Sequence, residues 1–176
     1  MDTSLFFLIN KGLQNSFFDL IMPLLTKRAY LLLVLIVIPV FSRERKKGLQ
    51  VLGLCLLSFA IADASANILK HVFERPRPCQ ILEDVRLLVG CGRSFSFPSN
   101  HAVNAFAVAA TFSHFYRRAA LPMFFCAALI AFSRIYVGVH FPSDVIAGAI
   151  WGGAAAGLVI LTHKWFSKRF SPEVKM

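Results

Sequence analysis

The stretch SRIYVGVHFPSD, residues 133–144, joins two apolar runs, AALPMFFCAALIAFSRIYV (119–137) and DVIAGAIWGGAAAGLVILTH (144–163). Each run is near the roughly 20 apolar residues that a helix needs to cross a bilayer core. An arginine, a histidine and an aspartate between two such runs stand at a membrane border, where ionisable groups are expensive unless they serve a site.

Working outward, further runs of the same kind appear. GLQVLGLCLLSFAIADASANIL (48–69) and PSNHAVNAFAVAATFSHFY (98–116) are long enough to span, and the shorter AYLLLVLIVIPVF (29–41) extends back through Lys27 and Arg28, which can snorkel. The 176 residues are 57% hydrophobic with a mean hydropathy of +0.64, well beyond an ordinary soluble domain. The expected fold is an all-α, polytopic membrane helix bundle of about five spans. It forms one integral-membrane domain over residues 1–176, because no stretch is long enough to hold a separate soluble module.

Residues 1–26, MDTSLFFLINKGLQNSFFDLIMPLLT, lack the basic start and small-residue cleavage site of a secretory signal. Asn10, Lys11, Gln14, Asn15 and Asp19 interrupt the apolar pattern, which reads as an N-terminal interfacial amphipathic helix or two, with a sixth span as the alternative.

The net charge of +10 is scattered between the spans. Basic flanks that anchor helices to anionic lipid account for most of it. No basic stripe or aromatic platform appears, which excludes nucleic acid as the expected partner. Ten basic residues flank one side (Arg43, Arg45, Lys46, Lys47, Arg117, Arg118, Lys164, Lys168, Arg169 and Lys175), and eight fall on the other, Lys70, Arg77 and Arg134 among them. If those three have chemical duties, the positive-inside rule places residues 71–97 and 133–144 outside. Cys79 and Cys91 share that outer loop. In an oxidising compartment such a pair can close a disulfide, although the spacing alone leaves the pairing open.

Three polar clusters map to this outer face. Lys70 and Arg77, in KHVFERPRP (70–78), lie two helical turns apart if the helix persists; Pro76 and Pro78 end it and leave Arg77 in an extended segment. Asp63, Asn67 and Lys70 share one helical face, which should look into the bundle. In FPSNHAVNAF (97–106), Ser99 is a candidate helix cap, and the amides around Asn100 form an anion cradle with His101 in the first turn. In the third, Asp144 is placed to hold one imidazole nitrogen of His140 and leave the other free, with Arg134 nearby. Taken singly, snorkelling and helix capping explain each cluster. Taken together, cationic donors and a helix N-terminus suit a phosphate, and two histidines suit nucleophilic attack and proton transfer.

These stretches resemble the signature of the type 2 phosphatidic acid phosphatase superfamily, integral-membrane lipid phosphate phosphatases. KHVFERPRP fits Lys, six residues, Arg-Pro; PSNH fits Pro-Ser-Gly-His; SRIYVGVHFPSD fits Ser-Arg, five residues, His, three residues, Asp. Asn100 stands where the pattern has glycine.

The resemblance implies catalytic roles for His140 (nucleophile), His101 (acid and then base) and Asp144 (orienting His140), with Lys70, Arg77, Ser99, Asn100 and Arg134 binding phosphate. It implies no metal or other cofactor, a phospholipid or glycolipid substrate, and a bacterial inner membrane with the site facing the periplasm. Lipid A 1-phosphate, undecaprenyl diphosphate and phosphatidylglycerol phosphate are the substrates to weigh. A non-enzymatic anion transporter is the reading from a different class, but the chain has neither repeated halves nor paired broken helices.

Overall fold

The computed structural model describes residues 1–28 and 45–170, and the described residues form helices and loops without a strand. The helices are α1 (Asp2–Asn10), α2 (16–28), α3 (Arg45–Phe73), α4 (Pro78–Ile81), α5 (Asn100–Phe115), α6 (Ala120–Tyr136) and α7 (Pro142–Phe170). Three helices among the described residues are long and apolar enough to cross a membrane; they contain α3, α6 and α7. The run expected at 29–41, with Arg43 and Lys175 of the basic tally, lies outside the described residues.

The packing is that of a bundle built for lipid. Helix α5 is the hub, lying against α3, α6 and α7. Its inward side is small: Ala102, Ala105, Ala107 and Ala109 are all buried. Gly148, Gly152 and Ala156 repeat at four-residue spacing on α7, and a side chain at Gly152 would run into the Val103 carbonyl. Small residues let helix backbones approach where lipid supplies no hydrophobic drive for association. The large residues point the other way. Leu56, Ile146, Ile150, Leu158 and Leu161 are exposed, the reverse of a soluble protein's arrangement.

Helix ends follow from local chemistry. Helix α3 stops at Phe73, ahead of Pro76 and Pro78, and Arg77 then adopts an extended conformation (φ −78°, ψ 154°). Lys70 sits in the last turn of α3, and α7 begins at Pro142. The ends of α3 and α6 and the starts of α5 and α7 therefore meet at one end of the bundle, together with the 74–99 loop. In that loop Cys79 and Cys91 are joined by a disulfide, with Cα atoms 6.1 Å apart.

Residues 1–26 fold as two helices, within the one or two expected. The chain turns at 11–15, where Asn15 Oδ1 accepts the Phe18 N–H at 2.9 Å and caps α2. The interrupting polar residues have specific partners. Asn10 is fully buried, donating to the carbonyls of Arg86 and Tyr136 and accepting the Arg86 N–H. Asp19 accepts the Tyr136 hydroxyl at 2.6 Å and pairs with Arg86. Together these contacts fasten α1 and α2 to the 74–99 loop and to the end of α6.

Candidate active site

His140 is the most enclosed member of the cluster, 1% exposed in the short connection between α6 and α7. Arg77 Nη1 lies 3.1 Å from its Nε2. A guanidinium can only donate, so Nε2 accepts and the ring proton sits on Nδ1. That nitrogen faces Ser96 Oγ at 3.3 Å and Asp144 Oδ2 at 3.5 Å. Burial lowers the pKa of His140 to about 3, against the raising pull of Asp144; Arg77 and Arg134 lower it further. The imidazole is therefore neutral, with a lone pair on the nitrogen facing the guanidinium.

Asp144 is pinned at both oxygens. Oδ2 accepts the Ser96 hydroxyl at 2.5 Å and the Phe141 N–H at 2.8 Å. Oδ1 accepts Arg75 Nη1 at 2.7 Å.

Arg77 is itself oriented by the loop. Its Nε and Nη2 donate to the Ser94 carbonyl and hydroxyl, and Nη1 also reaches the Val139 carbonyl. Lys70 spends its donors on the carbonyls of Phe95, Ser96 and Pro98, at 2.7, 3.4 and 2.7 Å. It clamps the loop that leads into α5 while bringing a charge to the cluster.

Ser99 departs from the expectation of a side-chain cap. It is the N-cap of α5, but its hydroxyl makes no capping bond and is buried with no partner. Its N–H donates to the Asp144 carbonyl, and its own carbonyl accepts the Val103 N–H, the first hydrogen bond of α5. The amides of Asn100, His101 and Ala102 precede that bond and point from the positive end of the helix. The Asn100 side chain turns to α3, where Nδ2 donates to Asp63 and Asn67. Asp63 also accepts from Asn104 and Asn67, so the expected polar face of α3 looks onto α5.

His101 and Arg134 share a partner that sequence reasoning missed. Thr26 on α2 is hydrogen-bonded through its backbone to His101, and its hydroxyl accepts Arg134 Nη1 at 2.7 Å. Arg134 Nε is buried without a partner. Two orphaned donors in one cluster, Ser99 Oγ and Arg134 Nε, carry a desolvation cost that an anion would relieve. His71, His114 and His163 match no part of the cluster; His71 packs edge-on to Phe95, and His163 lies near Gln50 and Phe115.

A neutral, oriented histidine surrounded by cationic donors at one end of a bundle whose described residues hold no strand defines a class of site: one suited to holding an anion beside a lone-pair nitrogen. Residues 51–168 match the PAP2 superfamily, and the chain belongs to that family. It is similar to a lipid A 4'-phosphatase of Bacteroides thetaiotaomicron, 30% identical over 178 residues that cover 93% of this chain and 78% of the relative. It also resembles an undecaprenyl-diphosphatase of Sulfolobus acidocaldarius, 33% identical over 119 residues, 64% of this chain; that match spans only 53% of the relative's own length. The crystal structure of LpxE from Aquifex aeolicus superposes with a TM-score of 0.73 at 31% identity, covering 91% of this chain and 94% of that one.

Proposed function

We propose that the protein is a lipid phosphatase acting through a phosphohistidine. The observation that carries this reading is the state of His140: neutral, protonated at Nδ1, with Nε2 presented to Arg77. A phosphate held by Arg77 is thereby placed at the attacking nitrogen. His140 Nε2 bonds to phosphorus as the lipid oxygen departs, and Asp144 and Ser96 stabilise the imidazolium proton.

His101, at the start of α5, protonates the leaving oxygen and then takes a proton from the water that releases phosphate. Arg134, the Ser99 hydroxyl and the amides at the start of α5 absorb charge in the transition state. Lys70 contributes its charge; a direct bond to phosphate requires it to give up one loop carbonyl. The cations present carry the neutralisation, so the reaction needs no metal. We place five spans in the bilayer, with the site at the periplasmic face of a bacterial inner membrane.

A lipid A phosphate is the favoured substrate, supported by the whole-chain similarity to a lipid A 4'-phosphatase, and lipid A 1-phosphate is the first to assay. Undecaprenyl diphosphate and phosphatidylglycerol phosphate are the alternatives. Phosphate release from the three lipids, compared in detergent micelles, tests the reading. Release from at least one should survive excess EDTA and be blocked by vanadate. Release from none refutes the function, and loss on chelation that a divalent ion restores refutes the metal-free mechanism.

A further inference from the structure

Arg75 stands at an unspecified position of the Lys, six residues, Arg-Pro motif, yet it makes more contacts around His140 than the motif implies. Its Nη1 donates to Asp144 Oδ1 at 2.7 Å and to Ser143 Oγ at 2.6 Å, and its Nη2 donates to Asp2 Oδ2 at 2.7 Å. Its carbonyl accepts the Ser96 N–H at 2.7 Å, and its guanidinium lies 4.3 Å from the centre of the Phe141 ring. Arg75 thus touches the carboxylate and positions the hydroxyl that face His140 Nδ1.

Asp2 completes the arrangement from α1. Its Oδ1 accepts the Ser143 N–H, and its Oδ2 accepts the Ser143 hydroxyl. A carboxylate from one helix therefore caps the start of another, α7, where Asp144 resides. The hydrogen bonds and ion pair with Ser143 and Arg75 outweigh the desolvation cost and hold the Asp2 carboxyl below its ordinary range.

We propose that Asp2 and Arg75 are positioning residues: a carboxylate–guanidinium relay that locks the Asp144 carboxylate and so sets the orientation and basicity of His140. The proposal rests on the reading of His140 as nucleophile. The geometry leaves Asp144 little freedom, since Ser96 and Phe141 hold one oxygen and Arg75 the other. Without Arg75 the carboxylate gains a free oxygen and loses a cation that competes for its charge. It then rotates more freely and stabilises a protonated His140 more strongly. The other charges around this pair are Arg77 from the loop and Arg134 from α6, which face His140, and Lys70 from α3, which faces Asp144. All are cations and none can replace Arg75 as a donor to Oδ1 without abandoning its own partners.

The test uses the full chain in detergent micelles, with Arg75→Met, Arg75→Lys, Asp2→Asn and the Asp2→Asn/Arg75→Met double variant. One readout is kcat and KM on whichever lipid phosphate the wild type hydrolyses. The second, independent of turnover, is the pH titration of His140 by 15N NMR of histidine-labelled protein, its signal assigned by its loss in His140→Gln.

Arg75→Met should lower kcat about 10- to 100-fold, the range for losing one charge-assisted hydrogen bond, with KM little changed. Its His140 midpoint should rise. Arg75→Lys should restore part of both effects. Asp2→Asn should act in the same direction more weakly, and add nothing to Arg75→Met. Wild-type kcat together with an unshifted His140 titration in Arg75→Met overturns the relay, and full additivity in the double variant removes Asp2 from it. If Arg75→Met does not fold, Arg75→Lys and Asp2→Asn decide by the same two readouts. If the wild type hydrolyses no lipid phosphate, the proposed function falls, and the His140 titration still decides for or against the relay.

Discussion

Arg77 Nη1 and His140 Nε2 lie 3.1 Å apart across 63 residues of sequence. A permanent donor at that distance leaves the imidazole one available tautomer, with its proton directed at Ser96 and Asp144. The contact also requires the loop carrying Arg77 to stay in place, and the Cys79–Cys91 disulfide lies within that loop. Gln80 adds two further ties, accepting the Arg77 N–H and donating to the Gly92 carbonyl.

Removing that cross-link by Cys79→Ser/Cys91→Ser should therefore loosen Arg77. Closing a loop with a sequence separation of 12 contributes about 3 kcal/mol by the chain-entropy estimate. The double variant should melt at lower temperature and bind vanadate more weakly. Mass spectrometry of protein from undisturbed membranes should find the pair oxidised; two free thiols there contradict the assignment.

Sidedness is open to direct labelling. Glu83 and Lys46 are both exposed, on opposite ends of the bundle. A cysteine at Glu83 should react with impermeant maleimide in intact cells, and one at Lys46 should not. Arg86 is a poorer probe because it is paired with Asp19 and holds α2. The reverse pattern of labelling puts the substrate in the cytoplasmic leaflet.

The helices and the site were not equally legible in the sequence. Long apolar runs located α3, α5 and α6 to within a few residues and α7 at its start, although α7 continues seven residues past its run; three motifs collected His140, Asp144, Arg77 and Arg134. What stayed hidden depends on contacts between distant segments. Thr26 is an ordinary polar residue on an apolar helix until folding sets it beside His101 and Arg134. Asp2 carries no local signal at all. Arg75 sits inside a motif at a position the pattern leaves free. Ser99 showed a different limit: the N-cap position was readable, but the buried, unpartnered state of its hydroxyl was not. The break at 11–15 falls within the one-or-two-helix reading, and Gly12 and Asn15 are its local signal.

Burial of His140 should appear as a pH dependence of stability. Its pKa falls from 6.5 in the unfolded chain to about 3 in the fold. The unfolded state therefore binds more protons below pH 6.5, and acidification favours unfolding throughout the window between those values. Between pH 7 and pH 5 the loss attributable to this one group is about 2 kcal/mol. Thermal melts in detergent should show the wild type losing more stability over that range than His140→Gln. Equal losses in the two proteins would mean that His140 is not held neutral by burial.

The two histidines should separate by role. In the proposed mechanism His140 forms the bond to phosphorus, so His140→Ala should abolish turnover on every substrate. In the same mechanism His101 protonates the leaving oxygen, help worth about 10² to 10⁴ in rate. That help matters most for a basic alkoxide, as in lipid phosphomonoesters, and little for nitrophenolate, which departs without a proton. His101→Ala should therefore form the phosphohistidine from an aryl phosphate far better than from a lipid phosphate. Release of phosphate should remain slow, because the attacking water has lost its base. Rapid-quench measurement should show a burst of nitrophenol near one per site, followed by slow turnover. Thr26→Val, which removes the hydroxyl accepting from Arg134 but keeps the backbone contact to His101, should slow steady turnover in the wild-type background without creating this biphasic pattern. A burst in His140→Ala and none in His101→Ala would reverse the two assignments.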